Sequence, residues 1–292
     1  MNLMAYIKRK EIEELRTVCN SENTEHIKEY LQYLENKRAD NQNRPPANIK
    51  VIKVSNENEL DDEFSHTRNE IIIYYKLFRS APDIYKSFVH ESNHANQWYL
   101  SNRDTSELSE FDKKISLCYK IGFCYNIADD TDVPSIQYLY NFNELDSRIS
   151  ELNELLIYIK KDINDIDRYR SVAQDFVYTL SIYNKKELKE YEKWFNQHYN
   201  AYHNQPENDI FGIMPSVLKI EATQNINVLH FFKNELKELS REKFKQLISL
   251  KEDLKEIVNI LNKGSVQKEK SLEKYSNKIQ KDKSLIEDDI EL

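Results

Sequence analysis

Glycine is scarce in this chain: three in 292 residues, alongside six prolines and three cysteines. A sheet-rich fold needs glycine at its tight turns, so this scarcity, beside abundant Glu, Lys, Leu, Ile and Asn, points to long helices. The cysteines, Cys19, Cys118 and Cys124, are odd in number and widely scattered, which argues against a disulfide framework and for buried thiols. Cys118 and Cys124 have no further Cys or His pair nearby, so a zinc knuckle is not expected. An excess of positive charge is also missing. With 50 acidic and 42 basic residues the net charge is -8, which offers no overall field for nucleic acid or an anionic membrane. No stretch approaches the length of a membrane span, and the first ten residues hold no apolar run of signal-peptide length. The expectation is a cytoplasmic protein with no nucleic-acid or membrane partner. A phosphate-cradling glycine loop and a Gly-x-Ser-x-Gly elbow are absent too.

What the chain does have is His90-Glu91-Ser92-Asn93-His94. On a helix, two histidines four residues apart stand one turn above each other on the same face, where both imidazoles can reach a single zinc ion. Glu91 follows the first of them, beside the position that two imidazoles and one further ligand leave open. From there its carboxylate can take a proton from a water whose pKa the metal has lowered toward neutrality. Phe88 and Val89 before the motif, and Trp98 to Leu100 after it, suit a half-buried helix, and Pro82-Asp83 marks its start.

Residues 11–19 and 24–37 read as helices broken by Asn20-Ser21-Glu22-Asn23, with a loop over 40–46. Residues 49–54 alternate and are β-branched, and 70–75 form an apolar run; both are expected strands, the second buried on both faces. Residues 55–62 are polar and acidic, the composition of a surface excursion. Downstream, helices are expected over 107–127, from near Asn143 through Ile159, in two stretches across 162–203 joined near Tyr183, and over 218–262. In the last, Leu247, Leu250, Leu254, Ile257 and Leu261 step by three and four, a pattern for packing back on the domain, self-association or a protein partner. The acidic loop 128–134 lacks the ordered spacing of a calcium site. After Gly264 charged residues dominate, and a frayed or disordered tail is expected.

Val89-His90-Glu91-x-x-His94-x-x-Gln97, followed by a Tyr-rich turn at Tyr138 and Tyr140 and then by Glu144-x-Asp146-Ser147-Arg148, resembles the small bacterial and phage metallopeptidases of the gluzincin class. Those carry Tyr…Glu-x-(Glu/Asp)-Ala-Arg on a second zinc helix. The resemblance covers about residues 48–160. It implies that His90, His94 and Glu144 are zinc ligands and Glu91 the catalytic base, with Gln97 behind the ligands. Glu144 lies fifty residues beyond His94, a longer interval than in the tightest members. Ser92 and Asn93 are more polar than is usual inside the motif, and Ser147 replaces the usual Ala. Peptide deformylases share the histidine motif but add a cysteine ligand in a glycine-containing motif, which Thr17-Val18-Cys19-Asn20 does not resemble.

The expected fold is α+β, mostly α: a zincin-like core at 48–160 with a small sheet and two zinc-bearing helices. A helical segment at 1–47 precedes it, a helical region at 161–262 packs on it, and 263–292 forms the charged tail. The expected activity is zinc-dependent hydrolysis of a peptide or protein substrate, with a phenol from Tyr138 or Tyr140 stabilising the oxyanion and His198, His203 and His230 as rivals. The alternative is an idle zincin-like scaffold that binds a protein partner. A third reading is a helical scaffold in which the motif is coincidental.

Overall fold

Two helices open the chain, α1 (Leu3–Cys19) and α2 (Thr24–Asn41), separated by a turn in which Glu22 takes a positive φ of 52°. The computed structural model describes residues 3–54, 61–76, 79–104, 106, 108–125, 140–161, 167–204 and 228–262. Asn23 caps α2 by accepting a hydrogen bond from the Glu25 amide, which satisfies one of the helix's orphan donors. The helix runs past the expected loop start to Asn41, and Asn43 leaves it at φ 51°, a conformation that Asn tolerates better than most residues.

Three strands follow: β1 (Asn48–Lys53), β2 (Glu63–Ser65) and β3 (Glu70–Tyr75). The sheet order is β1-β3-β2, with β1 parallel and β2 antiparallel to β3. Central β3 is the expected doubly buried strand, with Ile71, Ile72, Ile73 and Tyr75 all buried. The short edge strand β2 carries too few residues for a period-two signal, and the sequence did not announce it. Asp62, expected in a surface excursion, instead turns inward: its carboxylate accepts from the Tyr74 amide at 2.6 Å and pairs with Arg79 at 2.5 Å.

Helix α3 (Ala81–Asn102) carries the histidine motif; Ser80 caps it, and Pro82 sits in its first turn at the start that Pro82-Asp83 marked in the sequence. Helix α4 (Glu110–Tyr125) and α5 (Phe142–Lys161) pack against it. Then come α6 (Asp167–Thr179), a 3₁₀ turn at Leu180–Ile182 and α7 (Lys185–Asn204), whose start is capped by Asn184. A helical turn at Val228–Phe231 and a π-helical stretch at Phe232–Leu236 lead into the long α8 (Lys237–Asn262).

The structure is therefore mostly helical with one small mixed sheet. Buried apolar side chains form a core cluster that runs from Ile12 on α1 to Leu261 on α8. Leu247, Leu254, Ile257 and Leu261, from the three-and-four pattern of α8, lie in that core, where α8 packs on α5 and α6. Cys19 and Cys118 are buried free thiols. Among the described residues no helix is long and apolar enough to cross a membrane. The acidic loop at 128–134 and the tail at 263–292 lie outside the described residues.

Candidate metal centre

Helix α3 is buried on every side through its motif, more deeply than its half-buried pattern implied: His90, Glu91, Ser92, Asn93 and His94 are each at most 7 % exposed. The i, i+4 spacing brings the Nε2 atoms of His90 and His94 to 3.0 Å. Glu144, in the first turn of α5, completes a triangle: its Oε2 is 3.3 Å from His90 Nε2 and its Oε1 3.3 Å from His94 Nε2. Among the described residues, this is the group of three His, Cys, Asp or Glu side chains whose ligand atoms lie within 4.8 Å of one another. Ligands about 2.0–2.1 Å from a tetrahedral zinc stand about 3.3 Å apart, so the donors fit such an ion. Glu144 Oε2 is buried without a hydrogen-bond partner among the described residues, a polar atom in need of one.

Glu144 is placed by the start of its helix. The Asn141 carbonyl accepts from the Leu145 amide and its side chain accepts from the Asn143 amide at 2.9 Å, the pattern of an N-terminal cap. Two asparagine side chains then tie this corner to α4: Asn141 donates to the Gly122 carbonyl at 3.0 Å and Asn143 to the Tyr119 carbonyl at 3.1 Å.

The opposite ring atoms of the two histidines both face an oxygen, His94 Nδ1 in a hydrogen bond and His90 Nδ1 only in proximity to a carboxylate. His94 Nδ1 lies 2.8 Å from Gln97 Oε1; with the proton on Nδ1, Nε2 keeps its lone pair for a metal. His90 Nδ1 lies 3.2 Å from Oε1 of Glu151, which is about two turns beyond Glu144 on the same face of α5. The Gln97 amide donates to the Asn143 carbonyl, to Asp146 Oδ2 and to Ser147 Oγ, at 3.0, 3.1 and 3.3 Å. Asn93 donates to Ser147 at 3.2 Å and to Asp146 at 3.3 Å. The polar Asn93 and Ser147 thus occur together because they face each other across α3 and α5.

Ser92 points the other way. Its hydroxyl donates to Glu35 at 2.7 Å and accepts from Arg44 at 3.0 Å and Arg38 at 3.2 Å, within a network built on a fully buried Arg44–Glu35 ion pair.

Charge in the cluster follows from burial and neighbours. Burial pushes the Glu91 carboxyl up to about 8; His94 opposes the rise and the charge of Glu144 adds to it. Glu144 is also penalised by burial, yet the two histidines hold it well below the usual carboxylate range. For His90, burial works against the charged form, but Glu151 and Glu144 outweigh it and raise its pKa. Glu91 Oε1 stands 4.0 Å from His90 Nε2, beside the cluster and not in it.

The other sequence candidates fare differently. Tyr138 and the side chains of His198 and His203 lie outside the described residues. Tyr140 is sandwiched between Tyr191 and Phe244, its ring 3.5 and 4.5 Å from theirs and nearly parallel, which is a packing position. His230 is exposed, its ring beside Asn234. Another tyrosine, not singled out by its sequence context, interacts electrostatically with the site. Tyr183, just after the 3₁₀ turn, is buried, bonds Arg148 through its phenol and feels the charges of Glu144 and Glu151. Burial pushes its pKa up to about 12, so at neutral pH it is a donor. No protein-family model, curated protein or solved structure matches this chain.

Proposed function

We propose that the chain is a zinc-dependent metallopeptidase of the gluzincin type, with a zincin-like core built on α3, α5 and the sheet. The observation that carries the reading is the convergence of His90, His94 and Glu144 at tetrahedral ligand spacing with Glu91 alongside. Two imidazoles and one carboxylate leave a coordination position open, the arrangement of a catalytic site. Zinc held there would supply a Lewis acid and a water of lowered pKa. Glu91, beside the cluster, would take the proton of the attacking water and return it to the leaving amine. Tyr183, protonated and oriented by Arg148, is the described phenol best placed to donate to the developing oxyanion, in preference to the stacked Tyr140.

Glu91→Gln tests the roles separately. Protein loaded with zinc is incubated with a mixed peptide library and cleavage read by mass spectrometry, while metal content is measured on the same samples. Expected are near-stoichiometric zinc in wild type and Glu91→Gln, zinc lost in His94→Ala and Glu144→Ala, and cleavage by wild type alone. Equal cleavage by Glu91→Gln would remove the mechanism. The deep burial of all three ligands favours one other reading, in which the metal only clamps α3 to α5 and the chain serves as a protein-interaction scaffold. Stoichiometric zinc with no cleavage of any library member would select it.

A further inference from the structure

Helix α8 reaches toward the candidate metal centre with the side chain of Lys243. Lys243 of α8 forms a short ion pair with Asp146 Oδ1, and its ammonium also lies 5.2 Å from the centre of the Phe142 ring. Asp146 is the meeting point of four helices. Its other oxygen, Oδ2, accepts from Tyr119 of α4 at 3.0 Å, from Gln97 of α3 at 3.1 Å and from Asn93 of α3 at 3.3 Å. Gln97 in turn sets the ring of His94 through the 2.8 Å contact at Nδ1. Three links therefore join a residue of α8 to a metal-ligating imidazole 149 positions upstream (Lys243 minus His94).

An amide can present either end, and Gln97 must present its oxygen to His94 and its nitrogen to Asp146 for His94 to keep Nδ1 protonated. The Asn143 carbonyl and a carboxylate held at Asp146 both enforce that choice, because each accepts only. Without Lys243, Asp146 would be a buried charge facing neutral donors alone. Turning it leaves Gln97 held by the Asn143 carbonyl and Ser147 alone.

We propose that Lys243 is a positioning residue of the metal centre: by fixing Asp146 it helps to hold Gln97, and through it the orientation of the His94 ring, so the metal affinity of the cluster depends on the Lys243–Asp146 pair. The inference rests on the reading of His90, His94 and Glu144 as metal ligands. It makes one side chain of α8 a working part of the site.

The test uses full-length protein carrying Lys243→Met, which keeps the apolar stem and removes the charge. Leu254→Ala, a buried change on the same helix without contact to Asp146 in the network, controls for loosened packing. Zinc affinity is measured by chelator competition, the visible spectrum of the cobalt-loaded protein reports ligand geometry, and thermal melting of the metal-free proteins reports folding. Outer contacts to a ligating histidine set metal affinity by about 10–100-fold, so Lys243→Met is expected to weaken zinc about tenfold or more and to shift the cobalt bands. Leu254→Ala is expected to lower the melting temperature while leaving affinity and spectrum unchanged. Wild-type affinity and spectrum in Lys243→Met, or an equal loss of affinity in Leu254→Ala, would overturn the positioning role while the metal site stands. Failure of the wild type to bind zinc would remove the site and this role together.

Discussion

A methyl group at Gly122 would stand 2.3 Å from Asn143 Oδ1, 2.5 Å from Asn143 Cγ and 2.8 Å from Asn141 Oδ1. Those side chains cannot swing aside, because both are buried and hold α4 carbonyls by hydrogen bonds. Alanine improves a helix interior by about 0.5–1 kcal/mol over glycine, but overpacking costs about 1–3 kcal/mol, so the clash wins. Gly122→Ala is expected to lower stability in urea unfolding by about 1–2 kcal/mol. It should also weaken zinc binding, since Glu144 follows Asn143 directly. Unchanged stability with unchanged zinc affinity would show that the corner between α4 and α5 has slack.

Helix α3 can be buried on all sides because neighbouring elements answer most of its polar groups. On one side α5 receives Asn93 and Gln97; on the other α2 and the loop after it supply Glu35, Arg38 and Arg44. The Arg44–Glu35 pair is at most 1 % exposed, and Glu35 also accepts from the Ala47 amide at 2.9 Å. Removing one partner of a buried pair costs about 3–5 kcal/mol, because the other charge is left uncompensated. Losing the Ser92 hydroxyl costs about 1–3 kcal/mol. Arg44→Met is therefore expected to destabilise more than Ser92→Ala in denaturant titration. Both should still bind zinc at saturating concentration, because neither side chain faces the ligands. The reverse order, or zinc lost in Ser92→Ala alone, would contradict this division of the helix into a metal face and a bracing face.

For the whole molecule, the buried carboxylates tie stability to pH. In the metal-free protein Glu144, Glu151 and Asp146 have pKa values lowered from the ordinary range despite burial, by the histidines at Glu144, by Arg148 and His90 at Glu151, and by Lys243 at Asp146. Their stabilisation is complete above the unfolded carboxylate value of about 4 and disappears as pH falls through the lowered folded values. Glu91 has the opposite sign. Its folded value of about 8 lies above the unfolded one, so its contribution is present in acid and lost as pH rises toward 8. Urea unfolding in chelator across pH 3–9 is expected to give a stability maximum between these limits. The alkaline decline should become shallower in Glu91→Gln, with the part due to the raised pKa of His90 remaining. A flat profile in wild type would mean that the cluster is solvated.

Local order was legible because it follows from short spacings. The i, i+4 histidines, the asparagines that cap or end helices, and the apolar run of β3 each depend on a few consecutive residues. Glutamates and aspartates abound in this chain, so nothing local singles out Glu144; the family resemblance pointed to it, and the fold brings its carboxylate to both imidazoles. The sequence by itself determined a glycine-poor helical chain with a two-histidine face and an adjacent carboxylate. Tertiary structure alone decided that Ser92 braces α2, that Tyr183 and not the stacked Tyr140 lies beside the carboxylates, and that Lys243 closes on Asp146. The physical reason is distance along the chain. A helix face repeats every few residues and can be read from its own pattern, whereas partners 57 and 97 residues apart meet only after amphipathic faces have packed, and many side chains of the same type could have filled each place.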